Sequence, residues 1–292
     1  PHGSAPIAIA QEFLLCRFDN PVADFFLLNL HSTAPFPMLN DCSILHFYYT
    51  TEIMKIKENI YLLELPNITP GRNDSIYPTL IKKGQELTLI DTGFPNQVDD
   101  IKSAIEKENL DFTHLKTIIL THHDIDHMGN VKAILKLLPQ IELIVYEDEA
   151  DYINGSKTPC KVEMLEKNFH KLNDENKQLY KIFKYFFENN KINPDKLVKD
   201  GDIIDVGEKL KVIATPGHTM GHMSLYIDKY KLLIAGDLFM KKDNKITTCS
   251  EGLNYNQEIY LNSLKKIEDL PIESVICYHG GYFIGSPLAK DS

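Results

Sequence analysis

The chain has 292 residues, a formal net charge of −10 and 43% apolar residues, enough for one large domain or two small ones. The acidic balance works against a nucleic-acid groove, because phosphate binding depends on clustered Lys and Arg. No apolar run approaches the ~20 residues that a membrane helix needs, and no solenoid repeat is evident.

Residues 1–53 differ in character from the remainder of the chain, since only Arg17 among the 31 basic residues lies there. Apolar patches such as Phe13–Cys16 and Phe25–Leu28 alternate with prolines and keep no sustained period, and the positively charged start of a secretory signal is missing. Met54-Lys55-Ile56-Lys57 has the character of a natural beginning, so 1–53 is expected to be an upstream extension, with a partner-binding or dimerising arm as the alternative. Residues 54–292 then form the functional domain.

From Ile60 the pattern becomes regular. Ile60–Leu65, Ile76–Ile81 and Leu87–Ile90 read as strands joined by turns at Pro66–Asp74 and Lys83-Gly84, and Val98, Ile101 and Ile105 mark a helix. Leu115–Leu120 (LKTIIL) reads as a buried strand. Directly behind it lie three histidines and two aspartates between His122 and His127. Val131, Ile134, Leu135 and Leu138, at helical spacing, place an amphipathic helix after them, and Ile141–Tyr146 is the next strand.

Between 155 and 194 two helical faces recur, Val162, Leu165, Phe169 and Leu172, then Leu179, Ile182, Phe183 and Phe186. They are read as a helical insertion lining the substrate pocket as a lid. Lys196–Val198, Ile203–Val206, Leu210–Ile213, Leu225–Ile227, Leu232–Asp237 and Val275–Gly280 read as further strands, with a last helix marked by Tyr260, Leu264 and Ile267. Strands alternating with helices indicate a layered α/β architecture. Cys16, Cys42, Cys160, Cys249 and Cys277 are odd in number and lack C-x-x-C spacing, which points to reduced thiols in a cytoplasm.

The loop THHDIDH is the chemical centre. If it is locally extended, His122, Asp124 and Asp126 point one way and His123 the other, and His127 joins from the first turn of the helix. Imidazole mixed with carboxylate suits zinc, manganese or iron. A polar helix cap with solvated histidines is the bland alternative, disfavoured by so many candidate ligands in one loop.

At His122, Asp126 and His127 the chain resembles the metallo-β-lactamase-fold superfamily, whose loop is H-x-H-x-D-H. Asp124 stands where that family has its second histidine, which adds negative charge and makes iron or manganese more plausible beside the expected zinc. The turn Pro216-Gly217-His218-Thr219, the Gly236-Asp237 pair and His279 at the end of a strand match the remaining family motifs. The resemblance implies an αββα sandwich of two mixed sheets and a pair of divalent metal ions. One is held by His122, Asp124 and His218, the other by Asp126, His127 and His279, with Asp237 between them. Asp91, in the family's D-T-G turn, and His222 are implied as supporting residues behind the ligands, with His123 an alternative ligand. No cysteine falls in a site position.

The implied reaction is hydrolysis by a hydroxide shared between the metals, with Asp126 also passing the proton to the leaving group. The expected substrate is a small ester, lactone or thioester. Met240, where related lactonases carry tyrosine, weakens the lactone reading, and Lys241-Lys242 offer a basic contact or simply a solvated turn. A β-lactam hydrolase is one alternative. Another, prompted by Asp124, is a di-iron redox enzyme related to the flavodiiron proteins, which would need a separate electron donor. Partners are limited to the small-molecule substrate and a second copy of the chain in a homodimer, without nucleic acid or membrane.

Overall fold

The computed structural model describes residues 51–67 and 74–288. The upstream segment 1–50 lies outside these residues. Strands β1 (Glu52–Lys57), β2 (Ile60–Pro66), β3 (Ser75–Ile76), β4 (Thr79–Lys83), β5 (Glu86–Ile90), β6 (Leu115–Leu120), β7 (Glu142–Tyr146) and β8 (Lys196–Val198) build the first sheet. Its order is β1-β2-β4-β5-β6-β7-β8, with β3 paired to β2, and the strands from β5 to β8 run parallel. The second sheet orders β16 (Gly281–Ile284), β15 (Ser274–Cys277), β12 (Leu232–Ile234), β11 (Met223–Ile227), β10 (Lys209–Ala214) and β9 (Ile203–Asp205). A separate hairpin joins β13 (Phe239–Lys242) to β14 (Lys245–Thr248).

Continuous apolar runs are explained by burial on both faces of each strand. In β2, Ile60 and Leu62 join a core shared with Leu210, Val212, Leu225 and Ile234 of the other sheet. The alternate residues Tyr61, Leu63 and Leu65 turn outward to the helical layer, formed by α1 (Val98–Lys107), α2 (Ile125–Met128), α3 (Val131–Leu137), α4 (Ala150–Ile153), α5 (Cys160–Lys167) and α6 (Asp174–Asn189). On the outer face of the second sheet, Val275 and Cys277 pack with Tyr260, Leu264 and Ile267 of α7 (Gln257–Ile267). Two mixed sheets face to face with helices outside make the αββα sandwich that the resemblance implied.

Several expected boundaries shift for physical reasons. The strand expected over 76–81 is broken at Tyr77-Pro78, since proline cannot donate to a ladder. Lys241-Lys242 are not a turn but the end of β13. The turn is Asp243-Asn244, both residues at positive φ as a two-residue hairpin loop demands. The strand expected to reach Asp237 stops at Ile234, and Gly236 turns left-handed at φ 55° where a Cβ would stand 2.7 Å from His222 Nε2. The first insertion helix ends at Lys167, leaving Phe169 in a 3-10 turn and Leu172 beyond it.

The insertion is packed into the domain. Leu179, Phe183 and Phe186 of α6 are at most 2% exposed and belong to the main core. Leu179→Ala is therefore expected to cost about 2–5 kcal/mol. Urea denaturation would show a lower midpoint at constant slope; an unchanged midpoint would mean that α6 is not part of the cooperative core.

Candidate metal centre

The site forms where loops leave the carboxyl edges of β6, β10, β12 and β15. After β6, Asp124 is extended (φ −64°, ψ 151°) and α2 begins at once at Ile125, so Asp126 and His127 lie in a helical turn rather than on an extended loop. This turn is anchored from below: Thr92 N–H donates to His127 O at 2.7 Å, Gly129 N–H to Gly93 O at 3.1 Å, and Asn130 Nδ2 to Thr92 O and Phe94 O. The turn 215–219 brings His218 in, and Gly217 is needed there because a Cβ would stand 2.3 Å from Tyr260 N.

His122, Asp124 and His218 offer ligand atoms within 4.8 Å of one another, and so do Asp126, His127 and His279. Asp237 lies between the groups. Its Oδ2 is 3.4 Å from His218 Nε2 and 3.4 Å from His279 Nε2, and its Oδ1 is 3.2 Å from His127 Nε2. Asp124 Oδ2 is 3.0 Å from His218 Nε2, and Asp126 Oδ2 is 3.3 Å from His279 Nε2. The opening is on the His279 side, whose side chain is 17% exposed against 3% for His218 and Asp124.

Within this cluster, His122 Nε2, Asp124 Oδ1, Asp126 Oδ2, His127 Nε2 and Asp237 Oδ1 are buried without a hydrogen-bond partner. Leaving one such atom unsatisfied costs about 1–3 kcal/mol, so a protein does not gather several at one point for packing. Their convergence, as imidazole nitrogens and carboxylate oxygens, is a donor set that fits divalent cations such as zinc. The electrostatics agree. Burial would raise the Asp237 carboxyl, but His279 and His127 pull it well below the usual carboxylate range. Burial would likewise lower His127, yet Asp237, Asp91 and Asp126 hold it well above the usual imidazole value. His222 is driven well below that value by burial and then by His122, so it is neutral.

The residues expected to support the ligands lie behind the candidate ligand atoms. Asp91, left-handed at φ 62°, accepts from Thr121 N and Thr121 Oγ1 and meets His127 Nδ1 at 2.9 Å. His222 Nε2 accepts the Asp237 N–H at 3.0 Å. His123 does not enter the ligand group: its Nδ1 binds Glu149 and its Nε2 accepts the Cys160 N–H at 3.1 Å, so both nitrogens are engaged.

Other contributors escaped the sequence reading. Glu149 joins three segments by binding His123, Thr219 and the Gly221 N–H. The Tyr278 ring packs against His127, tilted by 32° with centroids 3.9 Å apart, and its hydroxyl donates to Asp126 O. Asn254 Oδ1 meets His218 Nδ1 at 3.3 Å. Lys161 lies 3.7 Å from Asp124 Oδ2. Cys249 Sγ lies 3.5 Å from His218 Nδ1, on the side of the ring away from the centre, and offers no atom to the ligand groups. Sequence spacing carried no signal for these, because each is brought in by tertiary packing; only the strand-end position of Tyr278 beside His279 was visible.

A family model described as the metallo-beta-lactamase superfamily matches residues 71–279. The chain is 29% identical over 206 residues to a beta-lactamase-like protein 2 homolog of Caenorhabditis elegans, covering 69% of this chain and 54% of that protein, so it spans about half of that relative's length. It is 24% identical over 248 residues to the probable metallo-hydrolase YflN of Bacillus subtilis strain 168, covering 80% of this chain and 84% of that one. Among solved structures, a metallo-beta-lactamase family protein of Thermus thermophilus matches with a TM-score of 0.60 at 21% identity, covering 80% of this chain and 77% of the other. The metallo-beta-lactamase GOB-18 of Elizabethkingia meningoseptica matches with a TM-score of 0.56 at 22% identity, covering 85% and 82%. At such identities the likeness is one of fold.

Asp91→Asn preserves a residue type that tolerates left-handed backbone but removes the charge behind His127. With folding retained by circular dichroism, zinc affinity measured against a chromogenic chelator is expected to fall about 10–100-fold. Unaltered affinity would end the supporting role given to Asp91.

Proposed function

Because the chain belongs to the metallo-beta-lactamase superfamily, we propose that it is a hydrolase of a small ester, lactone or thioester working with two divalent cations. The observation that carries this reading is Asp237 standing between two ligand groups in which buried atoms of His122, Asp124, Asp126 and His127 have no hydrogen-bond partner. His122, Asp124 and His218 would hold one cation, Asp126, His127 and His279 the other, with Asp237 shared. Bound there, zinc supplies Lewis acidity and brings a water's pKa near neutrality.

The chain's own groups do the rest. Asp91 and Asn254 orient His127 and His218 through the ring nitrogens that face away from the centre. Tyr278 fixes the backbone of Asp126, so this carboxylate is held at a defined position from which it passes a proton to the departing oxygen or sulfur. Substrate enters beside His279, where the β13–β14 hairpin is tied by Lys241 N–H to His279 O at 2.8 Å. On the far side Phe183 and Phe187 of α6 pack with Ile125 and the Lys161 side chain next to Asp124. The net charge of −10 favours a small substrate over nucleic acid. No helix among the described residues is long and apolar enough to cross a membrane. Thiols at Cys160, Cys249 and Cys277 support a reducing cytoplasm as the compartment.

The carboxylate at Asp124 supports a second reading, a di-iron redox enzyme. Metal analysis of the purified protein, with turnover assays on lactone, thioester, β-lactam and phosphodiester panels, separates the two. Zinc with turnover of an ester, lactone or thioester is expected, lost on chelation and restored by metal. Iron with oxygen uptake would replace the hydrolytic reading, and β-lactam turnover alone would change the bond type. Asp126→Asn is expected to lower kcat by about 10²–10⁴-fold with fold retained.

A further inference from the structure

Lys161 breaks two rules at once. Among the described residues it is the one buried lysine, 4% exposed, and it occupies the first turn of α5, where the helix dipole disfavours a cation. Burying an ammonium is costly unless a compensating charge is near. Its Nζ donates to Leu253 O and stands 3.7 Å from Asp124 Oδ2. That separation is too long for a hydrogen bond and short enough for strong Coulomb attraction. Asp124 Oδ1 meanwhile has no hydrogen-bond partner. The ammonium thus balances the carboxylate's charge without occupying the lone pairs that face the centre.

We propose that Lys161 is the counter-charge of Asp124, a positioning residue that makes the pair neutral, as a histidine at that place would be. The inference rests on the metal reading above and adds a direction to it. In the metal-free protein Lys161 stabilises the buried carboxylate. With a cation bound, the same ammonium is a like charge close by, so it weakens binding. Lys161 therefore holds the affinity of the His122, Asp124 and His218 group down while keeping the metal-free fold intact.

The test is a double-mutant cycle on the full chain with Lys161→Met, Asp124→His and both together. Metal-free Lys161→Met is expected to melt roughly 5 °C or more below the parent, because the buried carboxylate loses its ammonium partner. Its zinc affinity, by chelator competition, is expected to rise about tenfold. In the Asp124→His background the melting effect reverses: removing Lys161 then raises the midpoint. Lys161→Arg, which keeps the charge, is expected to melt closer to the parent than Lys161→Met. Equal melting shifts in both backgrounds would reduce Lys161 to a packing role and overturn the proposal, as would weaker zinc binding by Lys161→Met. If Lys161→Met is insoluble, a soluble double variant supports the pairing and an insoluble one overturns it. Failure of the parent to bind any zinc would defeat the metal reading, and the melting cycle would still decide the charge pairing.

Discussion

Three carboxylates, Asp124, Asp126 and Asp237, are buried at 3%, 1% and 6% exposure and converge on the same cluster of histidines. Like charges this close, out of water, repel strongly and lose several kcal/mol of solvation apiece. A chain that folds with them in place must bring positive charge to the same point and must hold the backbone rigid enough that they cannot splay. Both demands are visible. His122, His127, His218 and His279 interleave with the carboxylates, and the loops that carry them spring from central strands packed on both faces. Apolar burial in two cores offsets the electrostatic cost of one polar centre.

Rigidity comes from residues that offer no ligand atom to the centre. Glu149 ties the β6 loop to the turn after β10, Asn130 clamps the 92–94 segment, and Tyr278 N–H reaches Gly236 O across the second sheet. Because the ligand loops come from both sheets, a slip of one sheet on the other would separate His122 from His218. Met223 N–H donating to Thr121 O at 3.0 Å joins the sheets at the site itself. Positioning and stability are here the same set of interactions.

Much of this was legible from local pattern. Leu115–Leu120 announced its strand by β-branched residues and length, and the charged loop behind it announced the centre. Side-chain alternation put His123 aside correctly, yet Asp126 reaches the group through a helical turn, because the chain begins α2 immediately after Asp124. Strands β1 and β16 were not anticipated: their exposed, lysine- or glycine-containing sequences carry little apolar alternation, and they are edge strands held by pairing to a neighbour. Lys161 and Glu149 were invisible for a different reason. A charged residue on a helix is a solvated residue by default, and only the tertiary arrangement makes it buried.

Two departures from the expected pattern bear on each other. The carboxylate at Asp124 replaces an imidazole in the ligand loop, and the segment 155–194 enlarges the sandwich with α5 and α6. Taken separately, the first adds an uncompensated buried charge and the second a layer without an evident role in the chemistry. The first turn of α5 resolves both, since it delivers an ammonium to the one carboxylate that a neutral histidine would have made unnecessary. The hydrogen bond from Cys160 N–H to His123 and the packing of Phe183 and Phe186 then have a shared consequence: they fix the angle at which α5 approaches the loop. A loosened α6 would move Lys161, and with it the charge balance around Asp124, so the apolar packing of the insertion is coupled to the electrostatics of the centre.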